Sequence, residues 1–409
     1  MERVERVELS TTHAGLRLGL VILFLVIAGS AFAYGISALF TADPGWQVIE
    51  VSSSAAANCG GDFTLLYELG ASGTAATAEK RALVTVYTEA AVTAYRLFST
   101  YESFEGVTNV YALNQHPNEI LTVDDVLYKA FGLLERYGDR TVYLGPVYEL
   151  YNGLFFCQDD WQTEDFDPYV NAEIAAYYAE AAAYTRDEAS VQLELLGNGQ
   201  VRLRVSEEYL AFARVNGISR FIDFSWTANA FIIDYLAQTL TERGYTHGSI
   251  SSYDGFVRNL DGRALDYALN LYHFADGMIQ SVGVMNYRGP ESMVYLRDYP
   301  LNAEDSQRMY LRKTGEVRTS YLSIGDGRCK SAAHDLIGYS DTMGCAGLAL
   351  QLAPIYVADT LDVPALEALT EVGIQSVRMD GHVIFATDPG LTLRDLNEGY
   401  TFSRIAPFS

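Results

Sequence analysis

The residues best placed to do chemistry sit in one stretch, Phe221-Ile-Asp-Phe-Ser-Trp-Thr-Ala-Asn-Ala-Phe-Ile-Ile-Asp234. An apolar run beginning at Ile218 ends on Asp223. Ser225, Thr227, Ala228 and Ala230 are small enough to let a backbone pass close to another group. Ile232, Leu236 and Leu240 then recur at helical spacing, and Gly244 closes the pattern as a C-cap. The spacing predicts a strand, a tight turn and a helix. A turn of this kind presents the unpaired amides of a helix N-terminus and can hold an anion such as a phosphate. An ordinary strand–turn–helix unit carries the same signature. The cysteines, Cys59, Cys157, Cys329 and Cys345, have no C-x-x-C spacing, which argues against zinc. Three pairings are open to them. Cys329 with Cys345 closes a short loop and would leave Cys59 with Cys157; free buried cysteines are the alternative.

The elements that must position the stretch are legible around it. Phe63-Thr-Leu-Leu-Tyr67 reads as a strand, and a helix follows with Val84, Tyr87, Ala91, Ala94, Tyr95 and Phe98 on one face. Thr122-Val-Asp-Asp125 is a capping signal for a helix that ends at Gly138. A further helix is predicted over 171–184. Two alternating runs around Gly197-Asn-Gly199 predict a hairpin. Gly248 to Arg258 is strand-like, residues 263–300 are aromatic and strand-like, and a hairpin turns at Asp380-Gly381.

The chain has 409 residues and a formal net charge of −24, which argues against nucleic acid and anionic lipid surfaces as partners. Residues 18–40 form a near-continuous apolar run without a charge, long enough to cross a bilayer. Arg3, Arg6 and Arg17 precede it, so the N-terminus is expected in the cytoplasm and the body outside it. Ala31-Phe32-Ala33 gives the alternative of a cleaved signal and a secreted body. The expected organisation is a tail over 1–17, an anchor over 18–40, a linker over 41–58, a folded domain over 59–395 and a surface tail over 396–409.

The organising stretch resembles the ApbE family, the FAD:protein FMN transferases, whose pattern is D-x-G-G-x-A-K-G-x-x-x-D. Asp223, Ala228 and Asp234 fall on matching positions, whereas Ser225, Trp226, Asn229 and Ala230 stand where the family has Gly, Gly, Lys and Gly. Other family motifs follow in order. Ser99-Thr-Tyr101 and Leu113-Asn114 match S-x-Y and L-N; Gly138, Gly145 and Pro146 match a G…G-P motif. Leu322-Ser-Ile-Gly-Asp326 resembles T-S-G-D, and His334 with Ser340 keeps two positions of H-x-x-D-P-x-T-G. Pro354-Ile-Tyr-Val-Ala-Asp359 is similar to A-P-x-x-x-A-D. The resemblance spans residues 62–389.

The resemblance implies an α+β fold of mixed sheets with packed helices, preceded here by one N-terminal transmembrane helix. It implies FAD as substrate, a flavoprotein acceptor hydroxyl, and Mg2+ held by Asp359, the Ala228 carbonyl and a threonine. That threonine is Val363 here, with Asp362 beside it. It makes His334 the general-base candidate among six histidines, Tyr101 a ring to stack on the isoalloxazine, and Asn114, Asp223, Asp234 and Ser340 contributors to the flavin site. Two functions follow: a magnesium-dependent FMN transferase, or a catalytically inactive relative that binds a flavin, another small ligand or an unknown protein partner.

Overall fold

The computed structural model describes residues 42–52 and 61–404. The apolar run over 18–40 and Cys59 lie outside the described residues. Among the described residues no helix is long and apolar enough to cross a membrane.

A nine-stranded sheet organises the fold, and its strands stand side by side in chain order. They are β1 (Gly45–Ile49), β2 (Phe63–Leu69), β3 (Gly248–Ser252), β4 (Phe256–Asn259), β5 (Glu291–Arg297), β6 (Asp335–Ser340), β7 (Gln375–Asp380), β8 (Val383–Ala386) and β9 (Thr401–Arg404). Neighbours are antiparallel except β8 and β9, which run parallel. Strands β5 and β6 are buried on both faces, so their sequences lack polar alternation. In β5, Val294 and Leu296 join the larger core, while Met293 and Tyr295 join a second core on the opposite face.

The helices are α1 (Ala76–Phe98), α2 (Val110–Gln115), α3 (Asp125–Tyr137), α4 (Gly145–Tyr151), α5 (Ala172–Arg186), α6 (Glu207–Asn216), α7 (Ala228–Glu242), α8 (Cys345–Tyr356) and α9 (Val363–Ala368). Helices α7 and α8 pack against β4, and α1 packs against α7. In α7 the predicted stripe of Ile232, Leu236 and Leu240 is buried, as are Tyr87, Ala91, Ala94 and Phe98 of α1. The second face is covered by a smaller sheet of Asp266–Ala275, Met278–Arg288 and Thr392–Arg394. The expected hairpin forms from Val191–Gly197 and Gln200–Val205, with Asn198 at φ 51° in its turn. The result is a mixed α+β architecture.

Several local expectations are revised. The linker assigned to 41–58 contains β1, which pairs with β2 over its whole length. The tail assigned from 396 contains β9, and Tyr400 beside it is buried. Helix α3 is capped by Asp124, whose carboxylate accepts the Val126 N–H, while Thr122 belongs to the short strand Ile120–Thr122. Residues 218–223 form no strand, because their amides bond elsewhere: Phe221 and Ile222 to the Asn114 side chain, and Asp223 to the Val142 carbonyl. Cys329 and Cys345 are free and buried, not paired. The Cys345 thiol lies against the Val257 carbonyl inside the core, 3.2 Å away.

Candidate functional site

The turn between the extended segment and α7 is built around Asp223. One carboxylate oxygen accepts the Ser225 N–H at 2.7 Å, and Arg220 lies 3.6 Å from the other. Ser225 has φ 45°, the left-handed region that a glycine would occupy without a Cβ penalty. A single 3-10 turn, Ser225–Thr227, then leads into α7, with Ala228 as its first residue. Above this turn opens a cleft of about 370 Å³.

The cleft has an aromatic wall and a polar floor. Phe98, Tyr101, Phe155 and Trp226 are among its aromatic lining residues. Tyr101 is exposed at 65%, and the Arg220 guanidinium sits 4.1 Å from its ring centroid. The Trp226 ring packs edge-on against Tyr321 at 5.1 Å. On the floor, Asn229 Nδ2 donates to Asp254 at 3.0 Å, and Asp62 lies beside the same pair. Burial pushes the Asp62 carboxyl up to about 7, with Asp254 adding to the rise and Asn229 opposing it. Burial also raises Asp254, against the attraction of Arg308. Burial raises Asp223 too, against the Ser225 amide and Arg220.

Arg308 completes the floor. Its guanidinium is already engaged, donating to Asp305 at 2.8 Å and to the Tyr321 hydroxyl at 2.8 Å. Two buried polar atoms in the lining find no hydrogen-bond partner in the protein: Trp226 Nε1 and Ser320 Oγ.

Of the residues proposed from sequence, the structure brings Tyr101, Asp223 and Ala228 together in this cleft and places the others elsewhere. Asn114 is buried beneath the segment before the turn. Its amide donates to the Ile222 carbonyl and accepts from the Phe221 and Ile222 amides, all within 3.0 Å. It positions the stretch and, at 3% exposure, does not line the cleft. Asp234 caps a helix in trans: its two oxygens accept the Cys345 and Ala346 amides of α8 at 2.9 Å each. A Cβ on Gly344, which precedes α8, would lie 2.3 Å from that carboxylate, so the close approach needs glycine. Ser340 is buried in β6 and accepts the Thr342 and Met343 amides. His334 is half-exposed, and its Nδ1 pairs with Asp298 at 2.9 Å. That contact raises its pKa and favours the charged ring, which leaves less of the neutral form able to accept a proton at neutral pH.

The magnesium set does not fit an ion. The exposed Asp359 carboxylate is paired with Lys330 Nζ at 3.0 Å, and Asp326 lies 3.3 Å from the same ammonium. Val363 offers no side-chain oxygen. Asp362 is committed to capping α9, accepting the Ala365 amide at 3.0 Å. Among the described residues no group of three or more His, Cys, Asp or Glu side chains is arranged to hold a metal. A lysine thus supplies the positive charge at the corner where the resemblance implies a cation.

Sequence reasoning missed the floor of the cleft. Asp254 lay within the strand-like run from Gly248 to Arg258 and was not singled out as a site residue. Asp62, Arg308 and Ser320 had no local signal at all, because strand pairing and the Ala303–Gln307 turn bring them in.

No family model matches the chain, and no curated protein matches it in sequence. Solved structures do match it in shape. The ApbE protein of Thermotoga maritima superposes with a TM-score of 0.56 at 13% identity, over 85% of this chain and 97% of that one. The fold is ApbE-like. The flavin transferase ApbE of Vibrio cholerae gives a TM-score of 0.54 at 14% identity, over 81% of this chain and 93% of its own. The ApbE-like architecture spans nearly the whole length of both relatives. At these identities the likeness concerns the fold and leaves the chemistry to the residues.

Proposed function

We propose that this chain is an ApbE-like protein that binds a planar ring ligand, an isoalloxazine in the first place, in the Tyr101–Asp223–Trp226 cleft, and that it transfers no group from it. The pairing of Asp359 with Lys330 at 3.0 Å carries this reading. FMN transfer from FAD to a Ser or Thr hydroxyl needs charge neutralisation on the pyrophosphate and a base at the acceptor. Here the metal position is held by an internal ammonium, and His334 lies outside the cleft on Asp298. The aromatic wall is retained, and an exposed tyrosine stabilised by an arginine is well suited to stacking. The apolar run over 18–40 would tether this domain to the outer face of a cell membrane, where it would present a ligand or a partner-binding surface.

The test uses the full chain, a flavin titration followed by fluorescence with and without Mg2+, and an acceptor peptide bearing a Ser or Thr. Flavin binding unchanged by Mg2+, with no fluorescent peptide formed, is the expected result. Binding that strengthens with Mg2+, or covalent flavin on the peptide, would restore the transferase reading.

A further inference from the structure

The apolar run over 18–40 ends one residue short of the folded body. Thr41 alone separates Phe40 from Ala42. The Ala42 amide donates to the Thr77 hydroxyl at 2.9 Å, in the first turn of α1. Pro44 then packs against Gly70, where an added Cβ would lie 3.3 Å from the proline ring, and Gly45 opens β1. The two residue steps from Phe40 to Ala42 reach about 7 Å at full extension. So short a tether holds the surface around Ala42 against whatever holds the run.

That surface suits a lipid interface. The turn over 71–75, Ala-Ser-Gly-Thr-Ala, is exposed and carries no charged residue. The carboxylate beneath it, Glu79, is buried and accepts the Gly70 amide and the Ser72 hydroxyl, each at 2.6 Å. On β1, Trp46 and Val48 are 41% and 52% exposed, and Leu66, opposite Val48 on β2, is 37% exposed. The smaller sheet covers Met293 and Tyr295 on this face and leaves these three in solvent. The Tyr267 ring meets Trp46 edge-on at 6.1 Å and orients the indole. An aromatic ring with an apolar body and a polar N–H settles at the headgroup level of a bilayer. Asp43 and Glu50 flank β1 as exposed charges. With the net charge of −24 they favour a neutral over an anionic lipid surface.

We propose that the body docks on a neutral lipid surface through Trp46, Val48, Leu66 and the turn over 71–75, so that this patch and the tether together fix its orientation. This inference rests on the tether reading above and is independent of the ring-binding reading. The cleft then lies at the far end of β2. Asp62 precedes that strand and Leu69 ends it beside the turn, and its seven residues at about 3.3 Å each span about 23 Å. Docking and ligand binding therefore use separate surfaces. β1 is also an edge of the large sheet, so pairing with a second copy is the competing use of the patch.

The experiment places the full chain in phosphatidylcholine vesicles with and without brominated acyl chains, confirms attachment by flotation, and reads tryptophan emission. Of the three tryptophans, Trp226 is buried and Trp161, 71% exposed on another element, is the control. Brominated lipid is expected to quench the parent and Trp161→Phe, and Trp46→Phe is expected to lose that quenching. Val48→Glu, checked for folding by circular dichroism, should still float and lose it as well. Flotation without Trp46-dependent quenching would overturn the docking and leave the tether standing. Failure to float would overturn the tether reading together with this one. Unquenched Trp46 with a cross-link between copies through Val48→Cys, absent from the parent, would assign the patch to a second copy instead.

Discussion

The floor of the cleft and the corner around Asp359 both contain carboxylates, and they differ in how those carboxylates are satisfied. At the corner, Asp359 has Lys330, Asp362 has a helix amide, and His334 nearby in sequence has Asp298. In the cleft, Asp254 is held by Ser252 and Asn229, and Asp62 is buried beside it with its proton affinity raised, chiefly by burial and further by Asp254. Buried carboxyl groups with raised proton affinity lining a cleft are the better guide to function. Matching a family motif is the weaker guide here. Five motif residues, Asn114, Asp234, His334, Ser340 and Asp359, are bonded into the scaffold or to surface partners.

That contrast can be broken by substitution. The largest effect is expected for Asn114→Ala. It strips the partner from three backbone groups and should cost about 3 kcal/mol of stability in urea unfolding. Ligand affinity of the folded fraction should stay within twofold; a stable variant that had lost its ligand would return Asn114 to the binding site. Asp234→Ala uncaps α8 and should cost about 1–2 kcal/mol. Its readout is the thermal midpoint, with flavin affinity as the control.

Asp62 gives the pH-dependent test. Its carboxyl is raised to about 7 in the folded chain, against about 4 for an exposed aspartate. The folded state therefore binds the proton more tightly than the unfolded state, and this group's contribution to stability falls as pH rises through the window between those values. Asp62→Asn should match the parent in thermal midpoint near pH 4 and exceed it near pH 8. A constant difference at both pH values would show that Asp62 does not titrate as described. Tyr101→Ala should leave the thermal midpoint unchanged and weaken flavin binding by about three- to tenfold. The smallest effect belongs to Lys330→Ala, where an exposed pair contributes about 0–1 kcal/mol. If that variant acquired Mg2+-dependent FAD binding, Lys330 would be the device that closed a metal site.

Local structure was written locally. The α7 stripe, the α1 face, the Asn-Gly hairpin and the Asp380-Gly381 turn depend on spacings of two to four residues. The structure reproduces each of them. The segment before Asp223 looked like a strand because its apolar run is strand-like. It is not one, because an asparagine more than a hundred residues away takes its amides. β1 and β9 were missed because edge strands are short and half-exposed, with little hydrophobic periodicity to show.

The order of motifs along the chain was enough to anticipate an ApbE-like fold, because collinear elements of matching type constrain the topology. The fate of each motif residue was not in the sequence. Whether a carboxylate faces a cleft, caps a helix or meets a lysine depends on partners far along the chain, such as Asp234 with α8 or Asn229 with Asp254. Those partners are chosen by packing, and only the folded chain brings them within the 3 Å over which a hydrogen bond acts.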